Sequence, residues 1–348
     1  MPALLTLLFL LSTLFFASSA FAGKIVVNAV GDIMLAGKWS GSLARMGYDY
    51  PFAATATALK NGDITVGNLE APLAQSGTEF KNKKFRFKTD PRAAAALKRA
   101  GFSILTLANN HMMDFGSEGL METIYNLDRQ GIRHSGAGET LAAARREVLA
   151  SCNGSKIAFL AYSLTYPAEF YAGGKHAGTA PGFPPYIRED IARARAAADY
   201  VVVSFHWGAE NAATPKSYQV SAAHRAVDAG ADLVLGHHPH VLQGIERYKG
   251  SVIFYSLGNY AFGSLSGTDR SVIARVTLDK GVKEVELIPI NILNSEVRFQ
   301  PRPLAGMRGQ DVINRLNRLS KEMGTVIVEE HGRFLVDLTP QKGKLARR

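Results

Sequence analysis

The sequence contains a single cysteine, Cys152, among its 348 residues. One cysteine excludes an intramolecular disulfide, so the fold must be stabilised by an apolar core. The composition provides for such a core, because 47% of the residues are hydrophobic and 20% are charged. A chain of this size and composition predicts one large globular domain, or one domain with an appendage.

Charged residues are absent from residues 2–22, and no Lys or Arg precedes this apolar stretch. Ala20-Phe21-Ala22 provides a small-residue cleavage site before Gly23, which predicts a secretory signal over residues 1–22. The same stretch is long enough to span a bilayer, so an uncleaved N-terminal anchor is the alternative. In both cases we expect the remaining chain to be exported, to the periplasm or the extracellular space.

Clusters of basic residues are few, and they are confined to residues 81–86 and to the tail 342–348. The chain nevertheless has 40 Lys and Arg against 30 Asp and Glu, which gives a formal net charge of +10. Dispersed positive charge of this kind favours an anionic substrate or an anionic envelope surface. We therefore predict an anionic partner and no nucleic acid.

Short runs rich in Val and Ile alternate with alanine-rich helical stretches, which predicts an α/β layer architecture with packed sheets. The predicted strands are residues 24–30, 64–67, 103–107, 157–162, 200–205, 232–235, 251–255, 270–278 and 282–289, and the predicted helices are residues 91–100, 117–130, 188–198 and 219–229. Beyond residue 293, a charged helix over 309–322 and two strands over 325–329 and 333–338 predict a small C-terminal extension.

Polar side chains follow six of the predicted strands at the points where the strands end. These strand ends are Gly31-Asp32, Asn68-Leu69-Glu70, Asn109-Asn110-His111, His206-Trp207-Gly208, Gly236-His237-His238-Pro239-His240 and Ser256-Leu257-Gly258-Asn259. Ligands in α/β sheets gather outside the carboxyl ends of strands, so we expect these groups to meet at one rim. Singly, His206 has the alternative interpretation of a packed core histidine. Together, carboxylate, carboxamide and imidazole groups without thiolates predict a site for divalent Mn, Zn or Fe.

The same six strand ends, in the same order, resemble the bacterial CapA (PgsA-type) capsule synthesis family over residues 25–265. That family is associated with poly-γ-glutamate production and is similar to the calcineurin-like metallophosphoesterases. The resemblance implies a metallophosphoesterase-like layered α-β-β-α sandwich over residues 23–293. The small C-terminal α+β extension, residues 294–348, lies largely outside it.

The resemblance also assigns roles to individual residues. It implies metal ligands at Asp32, Glu70, Asn110, His206, His238 and His240. It further implies that His111 protonates the leaving group, and Asp114 would orient His111. Met34 and Glu70 depart from the phosphoesterase pattern, which has a histidine and a bridging aspartate at these positions. The resemblance therefore implies a centre of one or two ions.

Neighbouring residues complete the predicted site. On an alternating backbone, His237 should point away from the site shared by His238 and His240, and either contact a ligand from outside or have a structural role. Lys83, Lys84 and Arg86 are predicted to neutralise an anionic substrate, with an ordinary solvated hairpin as the alternative. Trp207 and the Gly/Pro-rich loop over residues 167–185 are predicted to line the cleft.

These features predict an exported protein of poly-γ-glutamate-type capsule biosynthesis, with metal-dependent hydrolysis or transfer on an anionic polymer. Membrane-bound capsule synthase subunits are the expected protein partners. One alternative is a periplasmic metallophosphoesterase that acts on a small phosphodiester or a lipid phosphate. The other is a non-catalytic scaffold that binds polymer for a membrane synthase.

Overall fold

The computed structural model describes residues 23–263 and 269–339. The predicted signal or anchor over residues 1–22 and the basic tail over 342–348 lie outside this part of the chain. Within it, no helix combines the length and the apolar character that crossing a membrane requires.

The strands fall close to the runs of Val and Ile that predict them. They are β1 (Ile25–Met34), β2 (Ile64–Leu69), β3 (Ile104–Thr106), β4 (Arg133–Ser135), β5 (Ala137–Gly138), β6 (Val148–Cys152), β7 (Ser155–Ser163), β8 (Gly178–Thr179), β9 (Tyr200–His206), β10 (Leu233–His237), β11 (Ile245–Tyr248), β12 (Ser251–Phe254), β13 (Asn259–Phe262), β14 (Arg270–Leu278), β15 (Val282–Asn291), β16 (Arg302–Pro303), β17 (Ile327–Glu330) and β18 (Arg333–Val336).

The helices lie between these strands and cover the sheets. They are α1 (Ser40–Met46), α2 (Ala56–Lys60), α3 (Ala93–Ala100), α4 (Gly116–Arg129), α5 (Leu141–Ala144), α6 (Pro184–Ala197), α7 (Ser217–Asp228), α8 (Asn294–Val297) and α9 (Gly306–Ser320), with 3-10 turns at Tyr50–Thr55, Ala168–Phe170 and Lys321–Met323.

Two sheets form the centre of the molecule. The larger has the order β17-β18-β15-β14-β1-β2-β3-β4, and its strands β1 to β4 run parallel. The smaller has the order β11-β12-β10-β9-β7-β6, and β7, β9, β10 and β12 run parallel within it. Parallel order brings the carboxyl ends of the strands in each sheet to one edge, where the predicted site residues lie.

Successive side chains along each strand point to opposite faces of the sheet, so the apolar side chains are divided between the layer that lies between the sheets and the layers under the helices. In β1, Val27 and Ala29 enter the apolar layer that includes β9 and β10 residues of the other sheet, whereas Val30 and Ile33 pack with helices α3 and α4. On the far side of the smaller sheet, Val203 packs with α6 and α7. Because successive side chains point to opposite faces, each sheet buries one face between the sheets and the other under helices. The predicted α-β-β-α sandwich is confirmed.

The C-terminal extension continues the larger sheet. Strand β18 pairs with β15 through the partners Glu286 with Leu335 and Leu287 with Phe334. Helix α9 contributes Val312, Ile313 and Leu316 to the apolar layer between the sheets. The extension has the predicted mixture of helix and strands, and the predicted boundary at residue 293 stays a prediction.

Candidate metal centre

The candidate metal centre lies where the parallel strands of both sheets end. The larger sheet places Asp32, Glu70 and Asn110 there, at or just beyond the ends of β1, β2 and β3. The smaller sheet supplies His206 at the end of β9. It also supplies the turn after β10, residues 238–240, which we call the histidine turn. A glycine at position 31 is required beside Asp32, because a Cβ atom would collide with the carbonyl oxygen of Gly258. The structure thus brings the predicted ligands together at one rim.

Glu70 is the least satisfied polar side chain of this rim. It is completely buried, and neither carboxylate oxygen has a hydrogen-bond partner. Its Oε1 lies 3.5 Å from His206 Nε2 and 3.8 Å from His240 Nε2. Burial raises the pKa of Glu70 well above its ordinary value, and the negative charge of Asp32 adds to this. A buried carboxylate without donors is costly, and a cation would provide the missing partner.

The surrounding imidazoles suit the same cation. His206 Nε2 lies 2.9 Å from Asn110 Oδ1, and burial holds the pKa of His206 well below its ordinary value. His238 Nδ1 is buried without a hydrogen-bond partner, and burial, together with the charge of His240, lowers the pKa of His238 to about 3. Neutral imidazoles with a free lone pair are common metal ligands.

Two overlapping groups of ligand atoms meet around Glu70. Glu70, His238 and His240 place one ligand atom each within 4.8 Å of one another, and so do Asp32, Glu70 and His206. This carboxylate and imidazole set, without thiolate, fits Mn, Zn or Fe. Burial alone would lower the pKa of His240, but the charges of Glu70 and Asp32 raise it to about 9. Metal binding displaces protons from ligands, so a cation beside Glu70 would replace the proton that these two side chains favour on His240.

Asp32 differs from Glu70 in having donors on both oxygens. Asn68 Nδ2 donates to Asp32 Oδ1 at 2.9 Å, and the backbone N–H of His238 donates to Oδ2 at 3.1 Å. His237 Nδ1 and His240 Nδ1 each lie 3.2 Å from one of these oxygens. Burial would raise the pKa of Asp32, but the two imidazoles outweigh it and hold the pKa well below its ordinary value.

The histidine turn owes its shape to unusual backbone. His238 and His240 have φ values of 92° and 60°, in the left-handed region that residues other than glycine seldom adopt. This turn breaks the strand alternation, and His237 Nδ1 consequently lies 3.2 Å from Asp32 Oδ1, close but not aligned for a hydrogen bond. The prediction that His237 points away from the site is wrong, because the alternation on which it rests ends at this turn.

His111, Asp114 and Lys83 form a second cluster beside the ligands. His111 Nδ1 lies 2.6 Å from Asp114 Oδ2, and Asp114 Oδ1 lies 2.7 Å from Lys83 Nζ. Burial lowers the pKa of His111, although the carboxylate of Asp114 partly counteracts this. Lys83 also bonds the carbonyl oxygen of Asn110 and approaches His111 Nδ1 to 2.8 Å. The expected pairing of His111 with Asp114 is therefore present in the geometry, and their catalytic roles stay predictions.

Two of the predicted substrate-binding groups have other partners. Arg86 Nε lies 2.7 Å from Glu79 Oε1, and Lys84 Nζ lies 5.1 Å from the centre of the Phe85 ring. Their binding to substrate stays a prediction. The predicted cleft loop over residues 167–185 does approach the site, since the ring centre of Phe170 lies 5.3 Å from Lys83 Nζ.

Trp207 lies on the opposite side of the smaller sheet from the site. The indole is completely buried, stacks on Phe205 at 4.6 Å and donates from Nε1 to the carbonyl oxygen of Tyr255 at 2.9 Å. The prediction that Trp207 lines the cleft, where it would contact substrate, is therefore wrong, because the side chain has no accessible surface.

The sequence assigns no role to Asn68, although the structure places it at the centre of the polar network. Asn68 Nδ2 bonds Asp32 and lies 3.3 Å from His206 Nδ1, and Asn68 Oδ1 accepts from Asn109 Nδ2 at 3.1 Å. The signal was available, since Asn68 precedes Glu70 by two residues, and side chains two residues apart on an extended chain share a face. Met34, by contrast, is buried in an apolar cluster with Ala36, Ala71 and Phe262.

The chain is similar to known proteins of capsule biosynthesis. The chain is 33% identical over 301 residues to the capsule biosynthesis protein CapA of Bacillus anthracis, which covers 84% of this chain and 72% of that protein. It is 35% identical over 313 residues to the PGA biosynthesis protein CapA of Bacillus subtilis (strain 168), which covers 89% and 81%. The fold is similar to that of the Haemophilus influenzae NAD nucleotidase, with a TM-score of 0.51 and 13% identity, over 84% of this chain and 56% of that one.

A family model described as bacterial capsule synthesis protein PGA_cap matches residues 26–264. This range begins in β1 and ends just after β13, so it includes every strand end that contributes to the candidate centre. The chain therefore belongs to the bacterial capsule synthesis protein PGA_cap family.

Proposed function

We propose that this protein is an exported, metal-dependent hydrolase or transferase of poly-γ-glutamate-type capsule biosynthesis, acting on an anionic polymer. The observation that carries the proposal is Glu70, a buried carboxylate without donors that three imidazoles surround. The relatives named for capsule and PGA biosynthesis support the choice of polymer. The formal net charge of +10 suits an anionic chain.

One group of residues in the site would bind the cation, and a second group would transfer a proton. Glu70, Asn110, His206, His238 and His240 would hold the cation. A divalent cation there supplies Lewis acidity, which polarises a carbonyl or phosphoryl oxygen and makes water a stronger acid. The Asp114 carboxylate fixes the ring of His111 through Nδ1. This leaves Nε2 of the protonated ring to give its proton to the leaving group.

The test is metal-dependent cleavage of purified poly-γ-glutamate by the full chain. After loading with Mn²⁺ or Zn²⁺, we expect the polymer to shorten, measured by size-exclusion chromatography and by newly released amino groups. His111→Ala should abolish shortening while the metal content stays unchanged. His224→Ala is the matched control, since His224 lies apart from the centre and pairs with Glu246. The proposal fails if the loaded protein leaves the polymer unshortened.

A second candidate function is hydrolysis of a small phosphodiester or a lipid phosphate. The observation that favours it is the placement of an acid, His111, beside a carboxylate–imidazole cation site, because a phosphoester leaving group needs both. Turnover of a chromogenic phosphodiester that His111→Ala abolishes, together with an intact polymer, would select this function. Polymer binding without turnover of either substrate would instead indicate the scaffold role beside a membrane synthase.

Export is part of the proposal and has its own measurement. If the predicted signal is cleaved, mass spectrometry of the protein recovered from outside the cytoplasm should give Gly23 as the N-terminus. Recovery of the intact N-terminus in the membrane fraction would indicate the anchor. Recovery of the protein from the cytoplasm alone would contradict export.

A further inference from the structure

We propose that the centre holds a single cation, and that Asp32 is the anion that orients the histidine ligands without itself binding the cation. The inference rests on the proposed cation site. It specifies how many ions that site holds and what Asp32 does there. It assigns Asp32 as a positioning residue and Glu70 as the carboxylate ligand.

The first observation is the number of nitrogen atoms around Asp32. Asn68 Nδ2 and the backbone N–H of His238 bond its two oxygens at 2.9 and 3.1 Å. The Nδ1 atoms of His237 and His240 approach the same two oxygens to 3.2 Å each. A carboxylate offers about four lone-pair positions; two hydrogen bonds occupy two of them here, and the two imidazole nitrogens crowd the rest. A cation at Asp32 would have to compete with these four nitrogens.

The second observation is the contrast with Glu70. Both carboxylates are completely buried, yet neither oxygen of Glu70 accepts a hydrogen bond. Buried polar atoms are almost always paired, so the unpaired oxygens mark the position where a cation belongs. His238 Nδ1 is likewise buried and unpaired. Both oxygens of Glu70 are thus unpaired, whereas both oxygens of Asp32 accept a hydrogen bond.

The third observation is the orientation of the His240 ring. Its Nδ1 lies 2.9 Å from Asn259 Oδ1 and 3.2 Å from Asp32 Oδ2, whereas its Nε2 lies 3.8 Å from Glu70 Oε1. A histidine that binds a metal through one nitrogen almost always donates its other N–H to a carboxylate or a carbonyl group. His240 has this arrangement, with the Asn259 carboxamide oxygen and the Asp32 carboxylate on the outer side of the ring and Glu70 on the side of the cation.

The competing arrangement is a two-ion centre in which Asp32 is a ligand. The observation that supports this arrangement is a set of distances: Asp32, Glu70 and His206 place ligand atoms within 4.8 Å of one another. Such a centre would place a cation on a carboxylate that already accepts hydrogen bonds from Asn68 and from the backbone of His238. The two arrangements differ in the number of ions at saturation, which can be measured without any activity assay.

The decisive experiment is a Mn²⁺ titration of the full chain, freed of metal by chelation, with bound ions counted by equilibrium dialysis and elemental analysis. We expect one ion per chain at saturation and an uncoupled Mn²⁺ electron paramagnetic resonance spectrum at every loading. Two ions per chain, or a spin-coupled spectrum, would overturn the inference and leave the proposed function intact. Failure to bind any Mn²⁺ would overturn the inference as well. Polymer cleavage, measured separately, tests the function.

Variants assign the two carboxylates. Asp32→Asn should still bind one ion at saturation, with a Kd raised about 10- to 100-fold, as expected for loss of an outer carboxylate partner. Glu70→Gln should bind none under the same conditions. Asp114→Asn is the matched control, a buried aspartate that contacts His111 and no proposed ligand side chain, and its Kd should match that of the wild type. Circular dichroism verifies folding, and a loss of ion stoichiometry in folded Asp32→Asn would contradict the assignment.

Discussion

Lys83 Nζ lies 2.7 Å from Asp114 Oδ1, and the same ammonium group contacts the carbonyl oxygen of Asn110 and lies 2.8 Å from His111 Nδ1. An ammonium group has three donors; the Asp114 carboxylate and the Asn110 carbonyl oxygen accept two of them, and the His111 ring lies against the third. Lys83 is therefore poorly placed to neutralise a substrate, which is the role that the sequence predicts for it. Its contacts instead favour a positioning role for the pair of Asp114 and His111.

Lys83→Met is expected to lower kcat at least tenfold while KM for the polymer stays unchanged. Each tenfold loss in rate corresponds to about 1.4 kcal/mol of transition-state stabilisation, a plausible cost of misplacing His111. Lys84→Met is the control, because Lys84 carries the same charge one residue away and its ammonium group lies over the Phe85 ring. A raised KM with unchanged kcat would show instead that Lys83 binds substrate.

Cation binding is expected to stabilise the fold through Glu70. A ligand that binds only the folded state at 100 times its Kd adds about 2.7 kcal/mol to the free energy of unfolding. Differential scanning fluorimetry should show a higher Tm with Mn²⁺ and a return to the starting value with chelator. Glu70→Gln should not respond to Mn²⁺, whereas Glu169→Gln, an exposed carboxylate on the cleft loop, should respond like the wild type.

Trp207→Ala is expected to destabilise the protein by about 3–5 kcal/mol, the usual cost of deleting a buried aromatic side chain. The indole fills the apolar layer beside Phe205 and Tyr255. Tyr166→Ala removes an aromatic ring that is 83% exposed and should change the free energy of unfolding by less than about 0.5 kcal/mol. Urea denaturation measures both, and a small effect at Trp207 would contradict its structural role.

His134 is expected to make the protein less stable in mild acid. Burial lowers the pKa of His134 below 6.5, although Asp128, whose Oδ1 lies 3.4 Å from Nε2, raises it. The folded state therefore binds a proton less readily than the unfolded state. The contribution of neutral His134 to the free energy of unfolding is complete above pH 6.5. It is lost as the pH falls toward the pKa of His134 in the folded state, by at most about 1.4 kcal/mol per pH unit.

The measurement is the free energy of unfolding of wild type and His134→Asn between pH 7 and pH 5. The buried histidines of the metal centre titrate in both proteins, so the difference between the two curves isolates His134. We expect the wild type to lose more stability than the variant as the pH falls. Parallel curves would show that His134 does not titrate in this range.

The sequence predicts the strands that carry the site because each is a buried apolar run with a polar residue at its end. Strand β9 (Tyr200–His206) and strand β10 (Leu233–His237) differ from their predicted ranges by only one or two residues at the ends. Strand β6 (Val148–Cys152) is not predicted, because it lies at a sheet edge and its burial is incomplete. Strand β13 (Asn259–Phe262) is also missed, since its first residue already belongs to the polar network.

The candidate ligands were predictable from their residue types. The hydrogen bonds and contacts that surround them were not. Alternation alone would have assigned Trp207 to the face opposite His206, which is where it lies. The same rule fails at His237, because the chain leaves extended geometry at His238. The donors around Asp32 come from separate strands, so only the tertiary structure shows that Asp32 is crowded and Glu70 is not.

The candidate centre spans the junction between the two sheets. Glu70 and Asn110 follow strands of the larger sheet, whereas His206 and His238 belong to the end of the smaller sheet. A bound cation would therefore crosslink the sheets, and its affinity would report their alignment. A packing defect in the apolar layer between the sheets would therefore weaken cation binding even though every ligand is intact. Conversely, the force needed to slide one sheet past the other would depend on the concentration of the cation.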